Sequence, residues 1–597
     1  MDANGVRIAI ASLAQSTGFF AGQKSPVADL SGSLPKEDQD ILSLASLLAV
    51  GGGSRQEQNQ THLKNIFSSL SLSGSASSAG QPGYLPRRKL TLDRESLFPA
   101  ATLEPAMGDT SLRDAFENVG MGVSQDFAGL ETFQAELHRM AWSLPSFDDP
   151  HVSHYDQQRM TAALAFCLQK LGEGRVNTIL GALKSGKGNN GDMEPVALLV
   201  GGDISGIQDF IYTITAKGAA KSLRGRSFYL QLLTEAILRL VLRRLKLPYT
   251  NVIYSGGGHF FLLAPVDRVD QLNDVQTEIT QKLWRHHRSS LYLALGHAPV
   301  PADGFLKGNF PEHWGRMHAE MSRRKQKRYS ELGEAYYQMV FAVPEFGGNP
   351  QETCSVCGED HRKSRKWDEL DIQERICTLC DSFIKEIGTP LPQSKFLVLG
   401  FGEPVTAPVA RASDVFSELG MQIQFIEDHQ GKAEVQAEQV VLWALDDPDE
   451  DKWPDANQAA PKWLRYTANH VPEEQFDELQ EKVQGGFERL GVLRMDVDNL
   501  GDLFKSGFGG NATLTRLASL SFRTSLFFDG WLKALCEQGK YKGLIYTVYS
   551  GGDDVFLLGP WDLIPDLAQE IVHDFSEYVG GNPDVHLSAC LAFSRGK

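Results

Sequence analysis

Hydrophobic positions in the first 68 or so residues recur at helical spacing between Gly- and Ser-containing breaks, and "SLSLSGSASSAGQPG" (69–83) then reads as a flexible loop. A second helical stretch covers roughly 110–185, includes "QQRMTAALAFCLQKL", and closes at the polar "KSGKGNNGDM" (184–193). The periodicity changes there. "PVALLVGGDISGIQDFIYTI" opens on a continuous apolar run of the kind buried strands show, and "SFYLQLLTEAILRLVLRRL" returns to helical spacing. "NVIYSGGGHFFLLAP" reads as a hairpin, completing an α/β unit of about 130 residues. Residues 310–395 are polar, basic and cysteine-bearing, and a mixed segment to about 485 carries strand-like runs such as "KFLVLGF" and "QVVLWAL". From "LGVLRMDVDNLGDLF" onward the order strand, helix, hairpin comes back.

That return is a repeat. Tyr254–Asp267 (YSGGGHFFLLAPVD) set against Tyr549–Asp562 (YSGGDDVFLLGPWD) gives nine identities in fourteen positions without a gap. Asp203 in "GDISGIQDF" then matches Asp496 in "MDVDNLGDLF", with a spacing to the hairpin that differs by two residues. Repeats of this kind mark duplicated structural units. The copies differ where chemistry is expected, because Asp553 and Asp554 stand where the first copy has Gly258 and His259. Asp496 and Asp498, two apart at a strand end, share a face that the spacing turns toward those two carboxylates. Hard oxygen ligands from adjacent strands suit Mg²⁺ or Mn²⁺, and neighbouring glycines let a backbone approach a triphosphate. The bland alternative is a hairpin turn beside an unrelated aspartate.

Composition narrows the class. The 597 residues are long for one core, and the formal charge of -17 argues against a uniformly basic nucleic-acid coat while leaving room for a local basic groove. No stretch approaches a membrane span and the start lacks a basic signal-peptide n-region, so a cytoplasmic protein is expected. Cys354, Cys357, Cys377 and Cys380 are spaced CxxC-x19-CxxC, the pattern of a four-thiolate structural zinc site. Cys167, Cys536 and Cys590 are expected to be buried apolar residues. Two basic runs stay open. "SRRKQKRYS", with Arg323, Arg324, Lys325, Lys327 and Arg328, suits either a phosphate backbone or partner, or a solvated helix face. "KSLRGR", with Lys221, Arg224 and Arg226, suits either nucleotide phosphates or subunit contacts, or an ordinary helix start.

"GDISGIQDFIYTITAKGAAKSLRGRSFYLQLL" (202–233), "YSGGGHFFLL", the paired CxxC insert, "LRMDVDNLG" and "YSGGDDVFLLG" together resemble the large signature subunit of type III CRISPR effector complexes, most like the Csm type. The resemblance runs from about residue 150 to the end. It implies an α/β multidomain fold with two ferredoxin-like palm domains of the polymerase and cyclase type, a degenerate helical HD-like N-terminal domain and a zinc-binding insert. The implied division is 1–190 helical, 191–310 first palm, 311–400 linker with the zinc site, 401–485 mixed α/β, and 486–597 second palm. It also implies synthesis of cyclic oligoadenylates from ATP when target RNA binds. Asp496, Asp553 and Asp554 would be catalytic Mg²⁺ or Mn²⁺ ligands. Ser550, Gly551 and Gly552 would line the donor nucleotide, and Ser205 with Gly256, Gly257 and Gly258 the acceptor. Implied partners are the backbone, small and CRISPR-RNA-end-binding subunits, CRISPR RNA and target RNA, and no membrane.

The chain departs from that pattern in two places. Where the family carries the His-Asp pair of a single-strand DNase, "ASLAQSTGFF" has Ala14 and Gln15, and in "HVSHYDQQRM" Gln157 replaces a second histidine; His151, His154 and Asp156 remain nearby, the histidines reading as lone surface groups. Nuclease activity through this domain is therefore expected to be absent. The strand-like "VHLSACLAFSRGK" ends at Lys597 where the family continues into a helical domain, so either the chain is naturally short or another polypeptide supplies that piece. Two other readings remain: a scaffold subunit that only binds nucleotide, and a diguanylate-cyclase-like enzyme, which would show GGDEF or GGEEF in a homodimerising domain.

Overall fold

The computed structural model describes residues 3–14, 32–52, 62–72, 83–102, 124–185, 194–213, 219–342, 349–360, 362–367, 374–445, 453–454, 460–465, 476–483, 485–552 and 554–594. The N-terminal region contains α1 (Ala3–Ala14), α2 (Lys36–Ala49), α3 (Phe127–Ala141), α4 (His154–Leu168) and α5 (Glu173–Lys184). Every residue of α4 is buried, because α1, α2 and α3 surround it and its remaining side meets both repeated units. The helical expectation for the first 68 residues holds only in part. After α2 the chain forms a two-residue strand, Leu63–Lys64, and a 3-10 turn, Ile66–Ser69. That turn is held by the Asn582 side chain, which donates to the Phe67 and Leu70 carbonyls at 2.7 and 3.0 Å.

The first repeated unit runs β1 (Pro195–Ser205), α6 (Ile207–Tyr212), α7 (Ala219–Leu245), β2 (Val252–Gly256), β3 (His259–Ala264), α8 (Val269–His287) and β4 (Tyr292–Pro301). Its sheet order is β2-β3-β1-β4, all antiparallel, which is the ferredoxin-like βαββαβ arrangement. Helix α9 (Phe310–Gln326) follows and lies back across β4 and β1. Glycines on the sheet make room for it: a Cβ on Gly201 would sit 2.7 Å from the Met317 sulfur, and one on Gly296 2.6 Å from Met321 Cγ. The first unit therefore extends beyond the boundary at 310. A separate sheet is built from β5 (Phe396–Phe401), β6 (Met421–Ile426), β7 (Gln439–Ala444) and β8 (Lys462–Leu464), in the order β6-β5-β7-β8, so β5 straddles the boundary at 400.

The second unit repeats the first: β9 (Leu490–Val497), α10 (Leu500–Ser506), α11 (Leu514–Ser525), β10 (Tyr546–Gly551), β11 (Asp554–Pro560), α12 (Ile564–Tyr578) and β12 (Leu587–Phe593). Its order β10-β11-β9-β12 matches. Even irregularities recur. Each hairpin shifts register just before its tyrosine, at Val252/Tyr254 and Thr547/Tyr549. Each strand-to-helix turn holds one left-handed residue, Gly206 at φ 94 and Asn499 at φ 55. Residues 588–593 of β12 are exposed, so Cys590 is an exposed thiol, whereas Cys167 and Cys536 are buried as expected. No helix among the described residues is long and apolar enough to cross a membrane.

Candidate functional site

Register places the chemistry. Asp496 on β9 pairs across the ladder with Asp554, the first residue of β11, and Asp203 on β1 pairs with His259 on β3 at the equivalent position. The two hairpins meet tip to tip. A Cβ on Gly257 would lie 3.4 Å from the Tyr549 hydroxyl and 3.7 Å from the Gly551 carbonyl oxygen, and one on Gly552 would lie 3.3 Å from the Tyr254 hydroxyl. Tyr254 and Tyr549 are repeat equivalents, so the contact is pseudo-twofold. A cavity of about 980 Å³ opens beside it and is lined from both units.

Asp496 and Asp554 line this cavity, while Asp553 lies outside the described residues. Arg494, two residues before Asp496 on the same strand face, donates to Asp554 Oδ2 at 3.1 Å. The other oxygen, Asp554 Oδ1, is buried with no hydrogen-bond partner. Burial, then the neighbouring charges of Asp554 and Asp498, push the Asp496 carboxyl above the usual range. An unpartnered oxygen beside a carboxylate that resists ionisation is an arrangement a divalent cation would relieve, so the residues fit Mg²⁺ or Mn²⁺. Asp498 does not join them at the cavity wall. Its carboxylate accepts from the Ser588 hydroxyl at 2.8 Å and lies 3.2 Å from His586 Nε2, drawn to the β12 side.

The first unit has a different constellation. Asp203 Oδ2 lies 3.2 Å from His259 Nε2 and pairs with the Lys325 ammonium, which arrives from α9. Burial alone would raise Asp203, but His259 and Lys325 outweigh it and hold the carboxyl at about 2. Asp203, His259 and Lys325 line the shared cavity, and so do His318, Lys505, Trp314 and Tyr212, none of which the sequence singled out for it. Burial, then the charge of His259, lowers His318 to about 4.

The expected nucleotide-binding residues divide. Gly552 lines the large cavity, Gly256 and Gly257 line both it and a smaller one of about 90 Å³, and Gly258, Ser550 and Gly551 line the smaller one. Ser550 is 2% exposed and spends its hydroxyl on the Phe528 carbonyl at 2.7 Å, so it faces inward rather than into the large cavity. The Ser205 hydroxyl has no hydrogen-bond partner. It sits between Ile204 and Gly206, both at the cavity wall. Asp529, on the π-helical turn Leu526–Trp531, lines the small cavity, and burial pushes its carboxyl up to about 8. Nothing in the pattern around Asp529 marks it, because the widened turn decides where it points.

The four cysteines converge, with sulfurs within 4.8 Å of one another, a geometry that would hold a zinc ion. Backbone N–H groups of Cys377 and Cys380 donate to the Cys354 and Cys377 sulfurs at 3.2 and 3.4 Å. Arg226 donates to the Cys380 sulfur at 3.1 Å and to the Phe210 carbonyl at 2.9 Å. In the "KSLRGR" run Arg224 and Arg226 therefore do not reach for phosphates: both are buried, and Arg226 ties the first palm to the cysteine cluster. In "SRRKQKRYS", Arg323 and Arg324 pair with Glu320 on their own helix, Arg328 lies over the Tyr292 ring, and only Lys325 of that run lines the cavity.

In the N-terminal region Ala14 is buried, and Gln15 lies outside the described residues. His154 is fully buried rather than a surface group, as the core position of α4 requires. Asp156 accepts from the hydroxyls of Ser153 and Ser519 at 2.9 and 2.7 Å and from Arg159 at 3.1 Å. Among the described residues no His-Asp metal cluster forms around His151, His154 and Asp156.

Two family models match: the Csm1 subunit domain B over residues 196–341 and the Cas10/Cmr2 second palm domain over 489–597. Two relatives carry the name CRISPR system single-strand-specific deoxyribonuclease Cas10/Csm1 of subtype III-A. The Methanocaldococcus jannaschii protein is 29% identical over 79% of this chain and 66% of its own length. The Thermococcus onnurineus protein is 30% identical over 72% of this chain and 54% of its own. The chain thus spans less than two thirds of these relatives. A Csm1-Csm4 subcomplex of the type III-A CRISPR-Csm interference complex matches in fold with a TM-score of 0.73 and 22% identity, covering 99% of this chain and 80% of that one. A Csm1-Csm4 cassette in complex with one ATP matches at 0.70 and 22%, covering 99% and 79%.

Proposed function

We propose that the chain is a member of the Cas10/Csm1 family, the large subunit of an RNA-guided effector complex, and joins ATP into cyclic oligoadenylates. One observation carries the reading: two equivalent palms face each other across a shared cavity, and the ladder pair that opens on it is Asp496 with Asp554 in the second but Asp203 with His259 in the first. Two nucleotides bound across a pseudo-twofold axis bring one ribose toward the α-phosphate of the other, and one set of carboxylates makes the pair directional. The ATP in the related cassette supports nucleotide binding by this fold.

In the reaction the 3′-oxygen of the acceptor forms a bond to the α-phosphorus of the donor while the bond to pyrophosphate breaks, and the hydroxyl proton passes to solvent. Repetition and a final intramolecular step close the ring. Asp496 and Asp554, with Asp553, would hold Mg²⁺ or Mn²⁺, which when bound neutralises phosphate charge and favours the attacking alkoxide. The rest is positioning. The glycine turns at Gly256–Gly257 and Gly552 let backbone approach the phosphates, and Arg494 keeps Asp554 turned so that its free oxygen stays available. The unpartnered Ser205 hydroxyl suits the acceptor side. Partners would be a Csm4-like subunit, CRISPR RNA and target RNA, with structural zinc at the four cysteines. The DNase for which the relatives are named would be lost, given Ala14 and Gln15 and the engaged carboxylate of Asp156.

The test is mass spectrometry of products from the assembled complex with ATP, Mg²⁺ and matching target RNA, beside an Asp553→Ala/Asp554→Ala variant. Cyclic oligoadenylates from the unaltered complex alone support the reading. An intact, RNA-bound complex that makes none returns the protein to the scaffold alternative.

A further inference from the structure

The first palm has not simply lost its metal site; its carboxylate is answered by a different cation. Asp203 occupies the ladder position of Asp496, facing His259 where the second palm has Asp554. Helix α9, which follows β4, crosses the sheet face on Gly201 and Gly296 and delivers Lys325 to Asp203 from 122 residues away. No lysine or arginine among the described residues pairs with Asp496. Both clusters open on the same cavity, and the equivalent points differ in what answers the carboxylates: Lys325 and His259 meet Asp203 in the first palm, whereas in the second Arg494 meets Asp554 Oδ2 and leaves Oδ1 without a partner.

We propose that the Lys325 ammonium is a built-in replacement for the divalent ion, and that it binds the 5′-triphosphate of the acceptor nucleotide without metal. The proposal rests on the nucleotide-binding reading above and assigns the phosphate-binding group of its acceptor half. An ammonium carries three donors, and Asp203 needs only one of them. The Lys325 side chain is 34% exposed, at the cavity wall, and its remaining donors are available to phosphate oxygens. His259 lies on the same side, its titration raised by Asp203 against the effect of burial. Lys505 lines the same cavity from α10. A point charge of this kind anchors phosphate but does not act as a Lewis acid on a hydroxyl or an α-phosphorus. The arrangement thus accounts for how one palm binds a triphosphate and leaves the chemistry to the other.

The experiment is equilibrium binding of a non-hydrolysable imido analogue of ATP to the full-length chain, in EDTA and in Mg²⁺. The wild type should bind a single equivalent in EDTA and a second one when Mg²⁺ is supplied. Lys325→Met should weaken the EDTA-resistant equivalent by about 10- to 100-fold, the range for loss of one charge-assisted bond, and leave the Mg²⁺-dependent one. Lys325→Arg should retain the EDTA-resistant equivalent, and Asp554→Asn should show the reverse loss. The surviving Mg²⁺-dependent equivalent reports that Lys325→Met is folded. EDTA-resistant binding unchanged in Lys325→Met, or wild-type binding that needs Mg²⁺ for both equivalents, overturns the proposal and leaves the nucleotide reading standing. A wild type that binds no analogue in Mg²⁺ either overturns both.

Discussion

Arg159 is the side chain through which the N-terminal helices hold the first hairpin, and its removal has a calculable consequence. It is 6% exposed on α4, donates from Nη1 to the carbonyls of Val252 and Ile253, and pairs through Nη2 with Asp156 at 3.1 Å. Those carbonyls flank the register shift that sets Tyr254 and the glycine turn. Asp156 is 1% exposed and also accepts from Ser519 of the second unit, so the pair touches both palms. Arg159→Met keeps the apolar stem but strands a buried carboxylate and two carbonyls. Breaking one side of a buried pair costs about 3 to 5 kcal/mol. The two serine hydroxyls still on Asp156 place the loss near the lower end, about 3 kcal/mol. At about 2 to 4 °C per kcal/mol for units of this size, the melting transition should fall by roughly 6 to 12 °C. Thermal unfolding of wild type, Arg159→Met, Asp156→Asn and the double variant reads this directly. Removing the stranded charge in the double variant should recover about half the loss. A single variant that melts within about 1 °C of wild type, or a double variant that simply adds the two losses, refutes the reasoning.

Three further outcomes follow from particular residues. Asp529, protonated up to about pH 8 by burial, binds a proton in the folded state that the unfolded chain releases near pH 4. Stability should therefore fall as pH rises from about 4 to 8, and Asp529→Asn should flatten that slope and raise the melting temperature at pH 8. A Cβ on Gly225 would collide with the Phe383 carbonyl beside the cysteine cluster, so Gly225→Val should lower bound zinc, measured by elemental analysis against wild type, while full zinc occupancy would contradict this packing. The assembled complex should show no metal-dependent cleavage of single-stranded DNA through its N-terminal helices, and robust cleavage lost on altering His151, His154 or Asp156 would show that this region kept a nuclease.

Much of the architecture was legible because it is written twice. The shared "YSGG" hairpins and the matched Asp203 and Asp496 let one unit interpret the other, and the CxxC pairs carry their own spacing. What escaped depends on contacts distant in sequence. The docking of α9 relies on Gly201 and Gly296, which look like ordinary strand glycines until a helix lies across them, and Lys325 looked like one charge of a basic run. The inward turn of Ser550 escapes the sequence because its hydroxyl finds the Phe528 carbonyl on a π-helical turn that no periodicity announces. The "KSLRGR" run leaves phosphates, subunit contacts and an ordinary helix start open, and it takes the close packing of Gly225 on Phe383 to show Arg224 and Arg226 buried. The spacing of Asp498 from Asp496 suggests a shared strand face, yet β9 ends at Val497 and Ser588 and His586 claim the carboxylate.

The central claim is that one palm takes metal and the other does not, with a nucleotide in each. The direct measurement is a structure of the full chain grown with Mn²⁺ and the non-hydrolysable ATP analogue, with Mn²⁺ located by its anomalous scattering. Manganese is expected between Asp496, Asp554 and the donor triphosphate, none at Asp203, and Lys325 against the acceptor phosphates. Manganese bound at Asp203 with Lys325 displaced, or nucleotide bound away from the inter-palm cavity, would contradict it.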